Sequence, residues 1–176
     1  MAPVFVTTWY LEMRARPALR PSETPPGVTL RLERPSVAAY RELYDTVGEA
    51  WLWVDRRRMG DAELHAAISA PHVEIHVARA GSELVGYFEL DRGTPRECKL
   101  AYFGLAPGWI GRGLGSWFLG RAVERAWEPG PSLVTVHTCS LDHPRALSTY
   151  ERAGFVCVET AHADFDPGPL ERAPTG

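Results

Sequence analysis

Three glycines, Gly111, Gly113 and Gly115, alternate with Arg112, Leu114 and Ser116 in the segment Leu105-Ala-Pro-Gly-Trp-Ile-Gly-Arg-Gly-Leu-Gly-Ser116. They stand where an apolar, strand-like run gives way to a helical pattern. In such a turn bare backbone N–H groups point at an anion, and the following helix N-terminus adds partial positive charge. Arg112 and Ser116 add side-chain donors, so the chemistry suits a phosphate and, better, a pyrophosphate. Two other phosphate loops fail on their residues. A Walker loop ends in Gly-Lys-Ser/Thr, and lysine is absent here. A dinucleotide fingerprint needs glycine where Ser116 stands and an early βαβ unit, whereas this turn lies two-thirds of the way along the chain.

Two other polar groupings carry little. On a strand, His72 and His76 in His72-Val-Glu-Ile-His76 are about 13 Å apart, while zinc–nitrogen bonds are about 2.1 Å. They cannot share one ion, and no metal site is predicted. Ser140, Asp142 and His143 superficially suggest a nucleophilic relay, but such close neighbours rarely reach the required geometry.

The elements that must position the glycine turn can be read from the periodicity. Val4 to Met13 is a β-branched and aromatic strand. Arg16 to Gly27 holds four prolines and is an extended connection without helix or ladder potential. The first strand is thus tethered, and is expected to pair at a sheet edge of its own chain or of a partner. Val28 to Glu33 is a second strand. Pro35 and Ser36 open a helix through about Val47, in which Tyr40, Leu43, Tyr44 and Val47 recur at helical spacing. Trp51-Leu52-Trp53 and the run Arg56-Arg57-Arg58 follow, the latter expected as a solvated helix end. Asp61 is the predicted N-cap of a helix that stops before Pro71.

From His72 the period changes to two, giving three strands of a meander: His72 onward, Leu84 to Leu90, and Cys98 to Leu105. A helix from about Arg112 to Trp127, an apolar strand Leu133 to Cys139, a helix His143 to Ala153 capped by Gly154 and a strand Phe155 to Ala161 complete the pattern. The prediction is an α/β fold with a mixed central sheet, antiparallel first and parallel later, flanked by helices and carrying an extra N-terminal strand. Residues 1–27 form that strand and linker, 28–163 the domain, and 164–176 a tail expected to fray.

Bulk properties agree. At 176 residues the chain is about one domain. A net charge of −3 argues against a nucleic-acid partner. Lys99 is the only lysine, as a GC-rich coding genome would give. Cys98, Cys139 and Cys157 are odd in number and unpaired in spacing, which fits free thiols in a reducing compartment. No signal peptide and no apolar stretch of about 20 residues is found, so a cytoplasmic protein without membrane partners is expected.

Residues 105–115 resemble the pyrophosphate-binding segment of the GNAT superfamily of acetyl-CoA-dependent N-acetyltransferases, which ends R/Q-x-x-G-x-G/A after a bulged strand. Asp142-His-Pro-Arg-Ala-Leu-Ser-Thr-Tyr-Glu-Arg-Ala-Gly-Phe155 is similar to the same family's N-x-x-A-x-x-x-Y-E-x-x-G-F. Both motifs occur in the expected order, and the likeness covers about residues 28–162 of what resembles a bacterial member. Two departures stand out. The leading Arg/Gln falls at Ile110, for which Arg112 is the candidate substitute, and the Asn falls at His143.

The resemblance implies acetyl-CoA as co-substrate, held by Leu105, Ala106, Gly111, Arg112, Gly113, Leu114, Gly115, Ser116, His143 and Ala146. It implies direct transfer to a primary amine of a small molecule, with no metal. Tyr150 matches the family's acid, which protonates the departing sulfur; its alternative role is packing against the sheet. An alkyl amine, with a pKa of about 10.4, must lose a proton, and Glu89 or Glu97 on the meander strands are the base candidates. Trp51 and Trp53, with Tyr40 and Tyr44, are candidates for an acceptor wall or for core. Loss of the Arg/Gln and the Asn keeps open a non-catalytic acyl-CoA-binding or regulatory module, and a nucleotide-dependent enzyme is the third reading. The tethered first strand makes a homodimer plausible.

Overall fold

The computed structural model describes residues 4–18, 23–166 and 168. Seven strands form one mixed sheet: β1 (Val4–Met13), β2 (Val28–Glu33), β3 (Val73–Ala80), β4 (Glu83–Asp91), β5 (Glu97–Leu105), β6 (Leu133–Cys139) and β7 (Val156–Phe165). The helices are α1 (Val37–Gly48), α2 (Asp61–Ser69), α3 (Gly115–Trp127) and α4 (Ala146–Arg152). The spatial order is β2-β3-β4-β5-β6-β1-β7. Every pairing is antiparallel except β5 with β6. Among the described residues no helix is long and apolar enough to cross a membrane.

The first strand departs from expectation. It does not lie at an edge but is inserted between β6 and β7, paired on both sides within its own chain. Alternation explains why it is accepted there: Leu11 and Met13 are buried in the main core while Tyr10 is exposed on the opposite face. The edges are β2 and β7, so the tethered strand no longer argues for a dimer. Other boundaries shift by a few residues. α3 and α4 begin three residues later than their patterns suggest, and β7 runs on to Phe165 because the long β1 offers it a partner. Of the tail expected to fray, Asp164 and Phe165 belong to β7, and all but Asp166 and Gly168 of the remainder lies outside the described residues.

Each sheet face has its own core. Ser36 caps α1, its Oγ accepting from Ala39 N at 3.2 Å, and Tyr40, Leu43, Tyr44 and Val47 pack with α2 on β3 and β4. On the other face α3 buries Trp117, Phe118, Ala122 and Ala126 with Tyr150 of α4 against β4, β5, β6 and β1. Gly60, not Asp61, occupies the N-cap of α2, and Asp61 is its first helical residue, accepting from Arg41 at 2.7 Å.

The arginine run is no solvated helix end. It lies in turns, where Arg56 pairs with Glu89 at 2.5 Å and buried Arg57 with Asp45 at 2.8 Å. Arg58 donates to the Asp166 carbonyl at 2.9 Å. Arg92 performs a further structural task, donating to the Ala126 and Arg125 carbonyls at the end of α3 and to Glu74 at 2.6 Å.

Hydrogen bonding to His76, joined by Arg92, lowers the Glu74 carboxyl from 4.5 to about 2. A depressed folded-state pKa stabilises the fold above the unfolded value, and that contribution is lost as pH falls through the folded one. Acid titration followed by circular dichroism is therefore expected to show Glu74→Gln less stable than wild type at pH 6. The gap should close between pH 4.5 and about 2. A gap independent of pH would contradict the assignment.

Candidate active site

The parallel ladder between β5 and β6 ends at Leu100↔Val136, although β5 continues to Leu105 and β6 to Cys139. Ala101 is the extra residue of a bulge, since Glu89 faces Tyr102 while Leu90 faces Leu100. Bulges re-aim side chains and end pairing beside functional sites. Beyond it the β6-facing edge of β5 has no strand partner, leaving backbone polar groups for a ligand. The gap opens into a cavity of about 840 Å³. Leu105, the turn glycines, Ser116, His143, Ala146 and Tyr150 all line it.

The glycine turn is built for an anion. Gly111 and Gly113 have φ of +80° and +77°, a region costly for residues with a Cβ. Among the described residues no side chain caps α3, so the N–H groups of its first turn are left for a ligand. Two expected contributors stand elsewhere. The Ala106 N–H is spent on the Val85 carbonyl at 2.8 Å. Arg112 does not line the cavity; its guanidinium lies 4.6 Å over the Trp109 ring, which Glu83 anchors at 2.9 Å through Nε1.

Tyr150 is 7% exposed and packs edge-on against Phe103 and Phe155 on the α3 side. Burial, then the nearby Asp142 carboxylate, pushes its hydroxyl pKa up, so it keeps its proton. His143 is turned to local work, its Nδ1 accepting from Arg145 N at 3.1 Å with Trp51 edge-on at 5.4 Å. Asp142 ties the cavity walls together. It accepts from Trp53 Nε1 at 3.3 Å, Thr138 Oγ1 at 2.7 Å and Cys139 N at 3.0 Å.

Neither base candidate reaches the cavity. Glu89 is fully buried beneath α1, held by the Tyr40 hydroxyl at 2.6 Å and by Arg56. Burial pushes its carboxyl up against the pull of those partners. Glu97 sits at the start of β5, where the ladder is intact, and accepts from Thr135 Oγ1 at 2.8 Å. Trp51, Trp53 and Tyr44 line the cavity, whereas Tyr40 is core.

Sequence reading missed three contributions to the cavity: Val6, Thr8 and Tyr10 of β1, the stretch through Asp55, and His137 of β6. For His137 the available signal was a titratable residue on the polar side of Leu133-Val-Thr-Val-His-Thr-Cys139. Cys139 also lines the cavity, but burial and Asp142 raise its pKa, which keeps the thiol protonated and a weak nucleophile. Cys98 is wholly buried and pushed up to about 11.

A sheet whose one parallel pair parts beside a phosphate-type turn defines the class of protein. Solved structures share the fold. A GCN5-related N-acetyltransferase from Sphaerobacter thermophilus superposes with a TM-score of 0.67 at 16% identity, over 99% of this chain and 54% of that one. One from Kribbella flavida gives 0.63 at 20%, over 92% and 58%. A Bacillus subtilis acetyltransferase in complex with CoA gives 0.54 at 21%, over 72% and 75%. This chain thus spans little more than half the length of the first two. No protein of curated function matches it. The acetyltransferase (GNAT) family model matches residues 40–155, and the chain belongs to that family.

Proposed function

We propose that the protein is an N-acetyltransferase that moves an acetyl group from acetyl-CoA directly to a primary amine of a small molecule. The observation that carries this reading is the parting of β5 and β6 at Leu100↔Val136, which opens a cavity shared by Tyr150 and the glycine turn. The residues present fit the co-substrate. The positive-φ glycines and the uncapped α3 suit its pyrophosphate, and the unpaired edge of β5 suits its amide-bearing arm. A backbone N–H of that edge, near Leu105, would hold the carbonyl oxygen.

Alternation gives the two faces different tasks. Tyr150 belongs to the α3 side, where the sulfur would lie, and serves as the acid. Trp51, Trp53 and Tyr44 wall the α1 side, where the acceptor would enter, with Asp55 there to attract an ammonium group. A protonated Cys139 favours direct transfer over an acyl-enzyme.

The test is release of the free CoA thiol from acetyl-CoA in the presence of a panel of primary amines, with acetylated product confirmed by mass. Amine-dependent release is expected, and binding of acetyl-CoA without it would favour a non-catalytic acyl-CoA-binding module. Arg112, stacked on Trp109 away from the cavity, is the observation on that side. Gly113→Ala adds a Cβ that meets nothing within 4 Å, so its whole cost lies in the φ of +77°. It should weaken acetyl-CoA binding about tenfold, the equivalent of roughly 1.4 kcal/mol. Unchanged affinity would mean that the turn does not hold the phosphates.

A further inference from the structure

We infer that His137 takes the proton from the attacking amine, opposite Tyr150 across the gap between β5 and β6. The inference rests on the acetyltransferase reading above. His137 follows Val136, the last residue of β6 paired with β5, so it stands at the apex of the opening. Val134 and Val136 point into the α3-side core, and by alternation His137 points to the opposite face, the acceptor's. Its ring lines the cavity. Tyr10 of the inserted β1 sits directly across from it, rings 5.9 Å apart. Its ring nitrogens have no hydrogen-bond partner among the described residues.

The other titratable groups of the cavity are engaged or unsuited. Asp142 already accepts three hydrogen bonds, the His143 Nδ1 accepts from a backbone amide, and Cys139 holds its proton. Asp55, beside the Trp51–Trp53 wall, suits holding the incoming ammonium.

Several charges bear on His137. Lys99 of β5 opposes its protonation, and Asp142 and Asp55 favour it. Glu12 of β1 and Glu159 of β7 lie on the same sheet face, by their registers with Thr135 and Tyr10. The His137 side chain is open to solvent on one side, but desolvation against the cavity wall outweighs these and, with Lys99, lowers the imidazole from its ordinary 6.5, which leaves it neutral and able to accept a proton at pH 7.

The step balances. The incoming ammonium first gives one proton to solvent, and the neutral amine nitrogen then bonds to the acetyl carbonyl carbon as the carbon–sulfur bond breaks. The nitrogen's proton goes to a His137 ring nitrogen, and the departing sulfur takes the Tyr150 hydroxyl proton. His137 then returns its proton to solvent, and Tyr150 regains one.

The experiment compares wild type and H137Q in acetyl-CoA turnover with an amine that wild type acetylates, as a function of pH. Calorimetry measures acetyl-CoA affinity, and NMR follows the His137 ring titration. Three results are expected together. Wild-type kcat should show an acidic limb below pH 6.5 that matches the ring titration. H137Q should lose that limb with about a 100-fold fall in kcat, and acetyl-CoA affinity should stay within about twofold. Retained activity with the same limb, an acidic limb that does not follow the ring titration, or loss of acetyl-CoA binding would each overturn the role of His137 alone. A wild type that binds acetyl-CoA but acetylates no amine of the panel would overturn the transferase reading, and this assignment with it.

Discussion

Tyr150→Phe is expected to lower kcat for acetyl transfer by about 100-fold or more and to leave acetyl-CoA affinity within about twofold. The substitution removes one oxygen and keeps the ring that packs on Phe103 and Phe155. The cavity wall therefore survives, and the loss is confined to a proton donor. Burial and Asp142 hold that hydroxyl protonated throughout the working pH range, as an acid requires. If the sulfur left as a thiolate without help, or took its proton from water, the variant would turn over like wild type. A variant that lost affinity and kcat together would show Tyr150 to be a packing residue, the plainer reading of its position.

The second large effect concerns stability. Glu89→Ala is expected to destabilise the fold by about 3–5 kcal/mol, since it leaves the Arg56 charge and the Tyr40 hydroxyl without their buried partner. For a chain of this size that is a fall of about 10 °C or more in the melting midpoint. Arg56 comes from the turn that follows the Trp51–Trp53 wall, so the pair anchors that wall of the cavity to β4. Tyr40→Phe, which removes only one hydrogen bond, should cost about 1–2 kcal/mol. A midpoint for Glu89→Ala within 2 °C of wild type would mean that the ion pair contributes nothing net. Lost activity in a Glu89 variant that remains folded would restore the carboxylate as a candidate base.

Much of the fold was legible because its signals are local. The shift from helical spacing in Tyr40–Val47 to alternation from His72 marks where α1 ends and the meander begins. The glycines of residues 111–115 mark the strand-to-helix turn on any reading. The location of β1 was not legible. Its composition says strand, but nothing local says that it inserts between β6 and β7, a matter of long-range pairing.

The same limit governs the site. Glu89 reads as a base candidate on a meander strand, but which space its carboxylate faces depends on Tyr40 and Arg56, which lie 49 and 33 residues away. Arg56-Arg57-Arg58 reads as a solvated run until Glu89, Asp45 and the Asp166 carbonyl are brought to it. His137 reads as one polar position in a strand until the ladder is seen to end beside it.

The central claim, a cleft for acetyl-CoA between β5 and β6, is tested most directly by calorimetric titration of the purified protein with acetyl-CoA, CoA and NAD. The account predicts micromolar binding of acetyl-CoA and CoA and no heat from NAD. Absence of acetyl-CoA and CoA binding would contradict it, and would mean that Ile110 and His143 in place of the family's Arg/Gln and Asn have disabled the site.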